Sequence, residues 1–173
     1  MLIAFYKSTR PGFQGTANRL IRLRLRTIYS HCELVFEPHD NVGFLMPDGS
    51  CGRGADGSQW CASSVAGEAL PAHSPHRAGR KGGVRFKRIV LDPAHWDVRR
   101  VACSPEMAAQ WFKAHEGELY DWQLIVGFIA WAIPHKALRW TCSEACAAAL
   151  GVPEDEAWRF DPANLEPAAG AWM

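Results

Sequence analysis

RWTCSEACAAALG, residues 139 to 151, carries a cysteine where an extended stretch becomes a helix, and the fold is read outward from that point. Ala145 to Leu150 are strong helix formers, and Gly151, Val152 and Pro153 supply a stop. Cys142 therefore heads a short helix. The first turn of a helix leaves backbone N–H groups without intrahelical partners and carries the positive end of the dipole, which favours a thiolate over a thiol. Glu144 suits that dipole and needs no further role. A cysteine in an apolar helix is more often a small core residue than a nucleophile, so Cys142 needs a partner before it becomes a site. Cys146, one turn along, reads as core ahead of a resolving thiol.

The 173-residue chain is long enough for one domain with a sizeable core, and no repeat or composition shift divides it. Nineteen basic and 18 acidic side chains nearly cancel, so nothing global attracts nucleic acid. The opening MLIAFYKSTRPG lacks the basic lead, long apolar region and cleavage site of a secretory signal, which points to the cytoplasm. The most apolar stretch, WQLIVGFIAWAI at 122 to 133, is shorter than the roughly 20 residues needed to span a bilayer, so a buried helix is expected and no stable membrane insertion. The six cysteines are expected to be mostly free thiols. The Cys142/Cys146 and His73/His76 spacings have no second pair to complete them, so neither a metal nor another cofactor is expected.

Leu2 to Tyr6 has the character of a short buried strand, and a helix is expected from about Thr16 to Thr27. Arg19, Arg22, Arg24 and Arg26 interleave with leucines there. The pattern suits either an ordinary solvated face, the commoner outcome, or a basic surface for acidic substrate, membrane or nucleic acid. SHCELVF, Ser30 to Phe36, alternates as a strand, with His31, Glu33 and Val35 on one face and the apolar Cys32, Leu34 and Phe36 on the other. Turn-rich sequence predicts hairpins before a strand near Ser58 to Val65, and Gly67 to Gly83 reads as a basic loop. VRFKRIVL, from Val84, alternates like a half-exposed strand, and Trp96 to Ala102 is a further strand candidate. Ser104, Pro105 and Glu106 start a helix reaching about Glu116, and another is expected from Asp121. This order predicts an α+β fold, an antiparallel sheet packed against segregated helices.

A cysteine nucleophile needs a base within hydrogen-bond reach and a third polar group to orient that base. His31, at the start of a strand, is the best base candidate, although a lone histidine there is more often structural. His39, His73, His76, His95, His115 and His135 fall in loops or near helix ends, where solvated or capping histidines are usual. Glu33 shares the face of His31 and would stabilise an imidazolium, but residues i and i+2 of a strand stand about 6 to 7 Å apart and need not touch. A salt-bridged carboxylate, paired with an arginine of the first helix, is nearly as good a reading of Glu33. Trp60, Trp122, Trp131 and Trp140 suit a substrate groove, or more commonly a core.

SHCELVF, then GELYD at 117 to 121, then WTCSEACAAAL resembles the circularly permuted branch of the NlpC-type papain-like cysteine peptidases and amidases, which includes YiiX-like proteins and lecithin-retinol acyltransferase relatives. In that branch the histidine strand precedes the cysteine helix. The resemblance implies a papain-like core with Cys142 as nucleophile, His31 as base and then acid, the Cys142 N–H in an oxyanion hole and Tyr120 as a donor beside it. The family's third group usually lies on the strand after the histidine, which selects Ser63 or Ser64; the chemistry of the carboxylate favours Glu33 slightly.

The leading expectation is a thiol hydrolase, an amidase or peptidase acting on a small peptide or peptidoglycan-derived amide, with Arg and Lys of the 77 to 88 stretch available to a substrate carboxylate. Two alternatives remain open. One is acyl transfer, or lipid or thioester hydrolysis, on the same fold. The other is an inactive interaction module in a phage or prophage setting.

Overall fold

Five strands, β1 (Leu2–Tyr6), β2 (His31–Phe36), β3 (Gln59–Ala69), β4 (Lys81–Ile89) and β5 (Trp96–Arg100), form one sheet in the spatial order β4-β3-β2-β1-β5. Every neighbouring pair is antiparallel, with His31 opposite Tyr6, Leu34 opposite Ala62 and Ala62 opposite Phe86. The computed structural model describes residues 1–9, 13–75, 77–121 and 139–171. Its helices are α1 (Phe13–Leu25), α2 (Pro105–His115), α3 (Cys142–Ala149), α4 (Glu154–Ala157) and α5 (Pro162–Ala171). The mixed α+β class expected from the sequence is what the chain adopts.

The period of two along each strand sorts the side chains onto two faces. Ile3, Phe5, Cys32, Leu34, Phe36, Ala62, Val84 and Phe86 share one, where they join Ala108 and Phe112 of α2, Ala145 and Cys146 of α3, and Leu165 of α5 in the main core. Phe5, Phe36, Phe86 and Phe112 are all but inaccessible to solvent, and each such ring contributes roughly 1.5–3 kcal/mol through burial. The opposite face is covered too: Ala4, Val35, Cys61 and Trp96 make a second buried cluster. The half-exposed reading of VRFKRIVL holds from Lys87 onward, but Arg85 on β4 is buried. Alternation reports which residues share a face, not whether that face meets water.

Several boundaries differ from expectation for local reasons. Helix α1 stops at Leu25 because Arg26 takes a left-handed conformation, φ +53°, and the Thr27 N–H returns to the Arg22 carbonyl. Short 3-10 turns at Pro38–Asp40 and Gly43–Leu45 stand where hairpins were expected. Strand β3 runs past Val65 to Ala69 through a shift in register, taking residues that read as loop. Ser104 caps α2 as expected, its hydroxyl accepting from the Met107 N–H. The apolar segment at 122 to 133 expected to be a buried helix, with Trp122 and Trp131, falls outside the described residues, as do His76 and His135, and of the helix expected from Asp121 only Asp121 itself is described.

A parallel pair of two-residue strands, β6 (Leu119–Tyr120) and β7 (Arg139–Trp140), was not legible in the sequence and decides where the GELYD segment lies. The Val84 N–H donates to the Glu118 carbonyl and the Gly117 N–H to the Val84 carbonyl, seating the segment beside β4. The approach is close enough that a Cβ on Gly83, whose φ is +141°, would stand 2.4 Å from the Glu118 oxygen. Gly83→Ala is therefore expected to lower stability by about 1–3 kcal/mol through backbone strain and overlap. Chemical denaturation checks this, and an unchanged midpoint would show that β6 can move aside at no cost.

Candidate active site

Cys142 owes its position to its neighbours on both sides. Thr141 is the N-cap of α3: its hydroxyl accepts from the Glu144 N–H, and the Glu144 carboxylate accepts from the Thr141 N–H at 2.7 Å. This reciprocal pair fixes the first turn. The Cys142 and Ser143 N–H groups head the helix, where no intrahelical carbonyl is in reach. Upstream, the buried Ser64 hydroxyl donates to the Trp140 carbonyl at 2.7 Å, tying β3 to the strand that delivers Cys142. Cys142 is only 5% exposed.

Two residues act on the Cys142 sulfur, Cys32 through its thiol and backbone and His31 through its ring. The Cys142 thiol is pushed well below its ordinary pKa, first by the Cys32 hydrogen bond and then, against the opposing effect of burial, by the charge and hydrogen bond of His31. Cys32 itself is pushed up, by burial first, and so remains a thiol donor. Cys146 is fully buried beside it and also raised by burial.

His31 bridges Cys142 and Glu33. Its Nε2 lies 2.8 Å from Glu33 Oε1, and Cys142 is the first of the groups that favour its charged form. The i, i+2 separation that made this contact doubtful is closed by the side chains themselves. Burial opposes the imidazolium, but the Cys142 charge and hydrogen bond, followed by those of Glu33, outweigh it and raise His31 to about 9. The edge of the ring faces Trp96, with centroids 6.3 Å apart.

Glu33 is fully buried and is held from behind by Arg85, whose Nη1 and Nη2 each donate to one carboxylate oxygen at 2.7 Å. Burial alone would raise this carboxyl; the Arg85 charge, aided by His31, instead lowers it to about 2. Glu68 stands 3.8 Å from Arg85 and pairs with Lys87. Glu33 is thus a salt-bridged carboxylate that also meets the His31 ring, with the arginine coming from β4 and not from the first helix.

Arg85 is the residue that sequence reasoning missed. Its signal was present: a basic residue on the same sheet face as Glu33, two strands away. The strand order needed to use that signal was not available from the sequence. Four of the 77 to 88 cations expected to await a substrate carboxylate are engaged within the protein. Arg85 and Lys87 are paired internally, Arg88 binds Asp48 and the Gly52 carbonyl, and Arg77 donates to the Lys81 and Gly82 carbonyls.

The Ser63 and Ser64 hydroxyls, the other candidates for a third member, are engaged with backbone carbonyls. The Ser63 hydroxyl donates to the Cys32 carbonyl at 2.7 Å and Ser64 to Trp140, so both fix the backbone around the site. Tyr120 is buried close to Cys142, and its hydroxyl is pushed well above the ordinary tyrosine value, by burial first and then by the Cys142 and Glu144 charges, so it stays a proton donor. Trp60 and Trp140 are core residues, 5% and 3% exposed. Among the described residues no group of three or more His, Cys, Asp or Glu side chains is arranged to hold a metal ion.

No protein-family model, curated protein or solved structure matches this chain.

Proposed function

We propose that the chain is a thiol hydrolase of the papain-like, circularly permuted NlpC type, acting on an amide of a small peptide or peptidoglycan-derived substrate. The observation that carries this reading is the His31 imidazole held between the Cys142 thiol and the Arg85-clamped carboxylate of Glu33. A thiol beside a base, with the base oriented by a third group, is the arrangement acyl transfer requires. The order of the histidine strand, the GELYD segment and the cysteine helix supports the family assignment.

The Cys142 thiolate attacks the substrate carbonyl, and the His31 imidazolium gives its proton to the departing amine. Water, deprotonated by the now neutral His31, then cleaves the thioester and restores the thiolate–imidazolium pair. In this reading the N–H of Cys142 and the Tyr120 hydroxyl donate to the developing oxyanion. Glu33 keeps one charge state throughout and holds the ring in place.

Alkylation of the full chain by iodoacetamide, followed residue by residue, tests the proposal. Because Cys142 is held below and His31 is held up at about 9, the ion pair exists between those two limits, and Cys142 should react at near-constant rate from about pH 6 to pH 8. Cys32, Cys61 and Cys146 should stay inert over that range. A rate for Cys142 that rises tenfold per pH unit up to about 8.5, as an ordinary thiol does, would overturn the proposal.

A further inference from the structure

Helix α1 presents leucine as well as arginine to solvent. At about 100° per residue, Arg19, Leu23, Leu20 and Arg24 fall on one arc of the helix, and all four are exposed, while Ile21, Arg22 and Leu25 are half-buried on the other side. Leu20 is 48%, Leu23 78% and, just past the helix, Ile28 58% exposed. An ordinary solvated face would not carry three such side chains in one patch. From Lys7 to Ser30 the sequence holds six basic residues and no Asp or Glu, in a chain of nearly balanced charge. Among the described residues no carboxylate pairs with Arg19 or Arg26.

The patch is fixed in place and has a recess. The Arg22 guanidinium donates to the Lys7 and Ser8 carbonyls at 2.8 and 3.1 Å and to the Thr9 hydroxyl, clamping α1 to the end of β1. Lys7, Arg22, Leu23, Arg26, Thr27 and Ile28 line an open cavity of about 540 Å3, so cationic and apolar side chains share it. Arg26 occupies a left-handed position where glycine is the usual residue, at a cost of about 1 kcal/mol, and so keeps a cation on the cavity rim.

We propose that α1 and the turn after it dock on the surface of an anionic lipid bilayer, with Leu20, Leu23 and Ile28 entering the headgroup–acyl boundary and the surrounding arginines meeting lipid phosphates and carboxylates. Interleaved arginine and leucine on one exposed arc is what an interfacial helix needs. Nucleic acid would satisfy the arginines but leave the leucines in water, since phosphate contacts are made by cations and hydrogen-bond donors. The attachment is peripheral: among the described residues no helix is long and apolar enough to cross a membrane. It stands apart from the chemistry assigned to Cys142.

Co-sedimentation of the full chain with vesicles tests this. Vesicles of phosphatidylcholine containing about a third phosphatidylserine should retain the protein, and phosphatidylcholine alone should not. Leu20→Gln/Leu23→Gln should weaken retention by about tenfold or more through lost apolar burial, and Arg19→Gln/Arg26→Asn by about tenfold or more through lost charge. All four positions are exposed, so circular dichroism and Cys142 alkylation should be unchanged in both variants. The proposal is overturned if the anionic vesicles do not retain the wild-type chain, if the leucine variant binds as well as wild type, or if duplex DNA releases the chain from them.

Discussion

His31→Ala should lower the rate of Cys142 alkylation at pH 6.5, by a factor that reaches about a hundred if Cys142 becomes an ordinary thiol with pKa near 8.5, only about 1% ionised there. The wild-type site holds the thiolate through the imidazolium as well as through the Cys32 hydrogen bond, and the variant keeps only the second. The difference should shrink as pH rises, because both proteins approach full ionisation. Amide hydrolysis should fall further, by roughly 10²–10⁴, because the proton for the leaving amine is lost as well. Alkylation and turnover thus separate the two roles of one ring. A wild-type alkylation rate in His31→Ala would leave Cys142 activated without it and remove His31 from the site.

Arg85→Leu should be the most damaging substitution to stability, costing about 3–5 kcal/mol, because it strands the fully buried Glu33 carboxylate without its counter-charge. Guanidinium denaturation measures the loss. Arg85→Lys should recover part of it, since a single ammonium cannot reproduce two parallel N–H···O bonds. Glu33→Leu/Arg85→Leu should be more stable than Arg85→Leu alone, which an effect of arginine volume could not produce. The pH dependence has a defined sign. Glu33 is lowered to about 2 in the fold, so its stabilisation is present above the ordinary carboxylate range and is lost as pH falls toward 2. His31 is raised to about 9, so its stabilisation is present below the ordinary histidine range and is lost as pH rises through about 9. Arg85→Leu should flatten the acid limb and leave the alkaline limb in place.

The contrast between Cys142 and Arg85 shows where sequence reading succeeds in this molecule. Cys142 could be placed at a helix start because its signals are local: helix formers after it, an acid in the first turn, a glycine stop. The element order that gives the antiparallel sheet was legible for the same reason. His31 and Glu33 could be assigned to one face because a strand has a period of two, but their contact depends on rotamers that periodicity does not carry. Arg85 sits across two strands from Glu33, and only the order β4-β3-β2-β1-β5 brings the two together. The two-residue strands β6 and β7 are too short to show any pattern, and the arginine-rich helix hid its exposed leucines in an untidy one.

The capped head of α3 sits against β2, yet Cys142 follows His31 and Glu33 by more than half the length of the chain and Arg85 by about a third of it. The sheet and its Glu33–Arg85 clamp can form before α3 has been synthesised, whereas the thiolate cannot be stabilised until α3 docks on Cys32 and His31. Cys142 therefore leaves the ribosome as an ordinary thiol and acquires its lowered pKa only once α3 has docked.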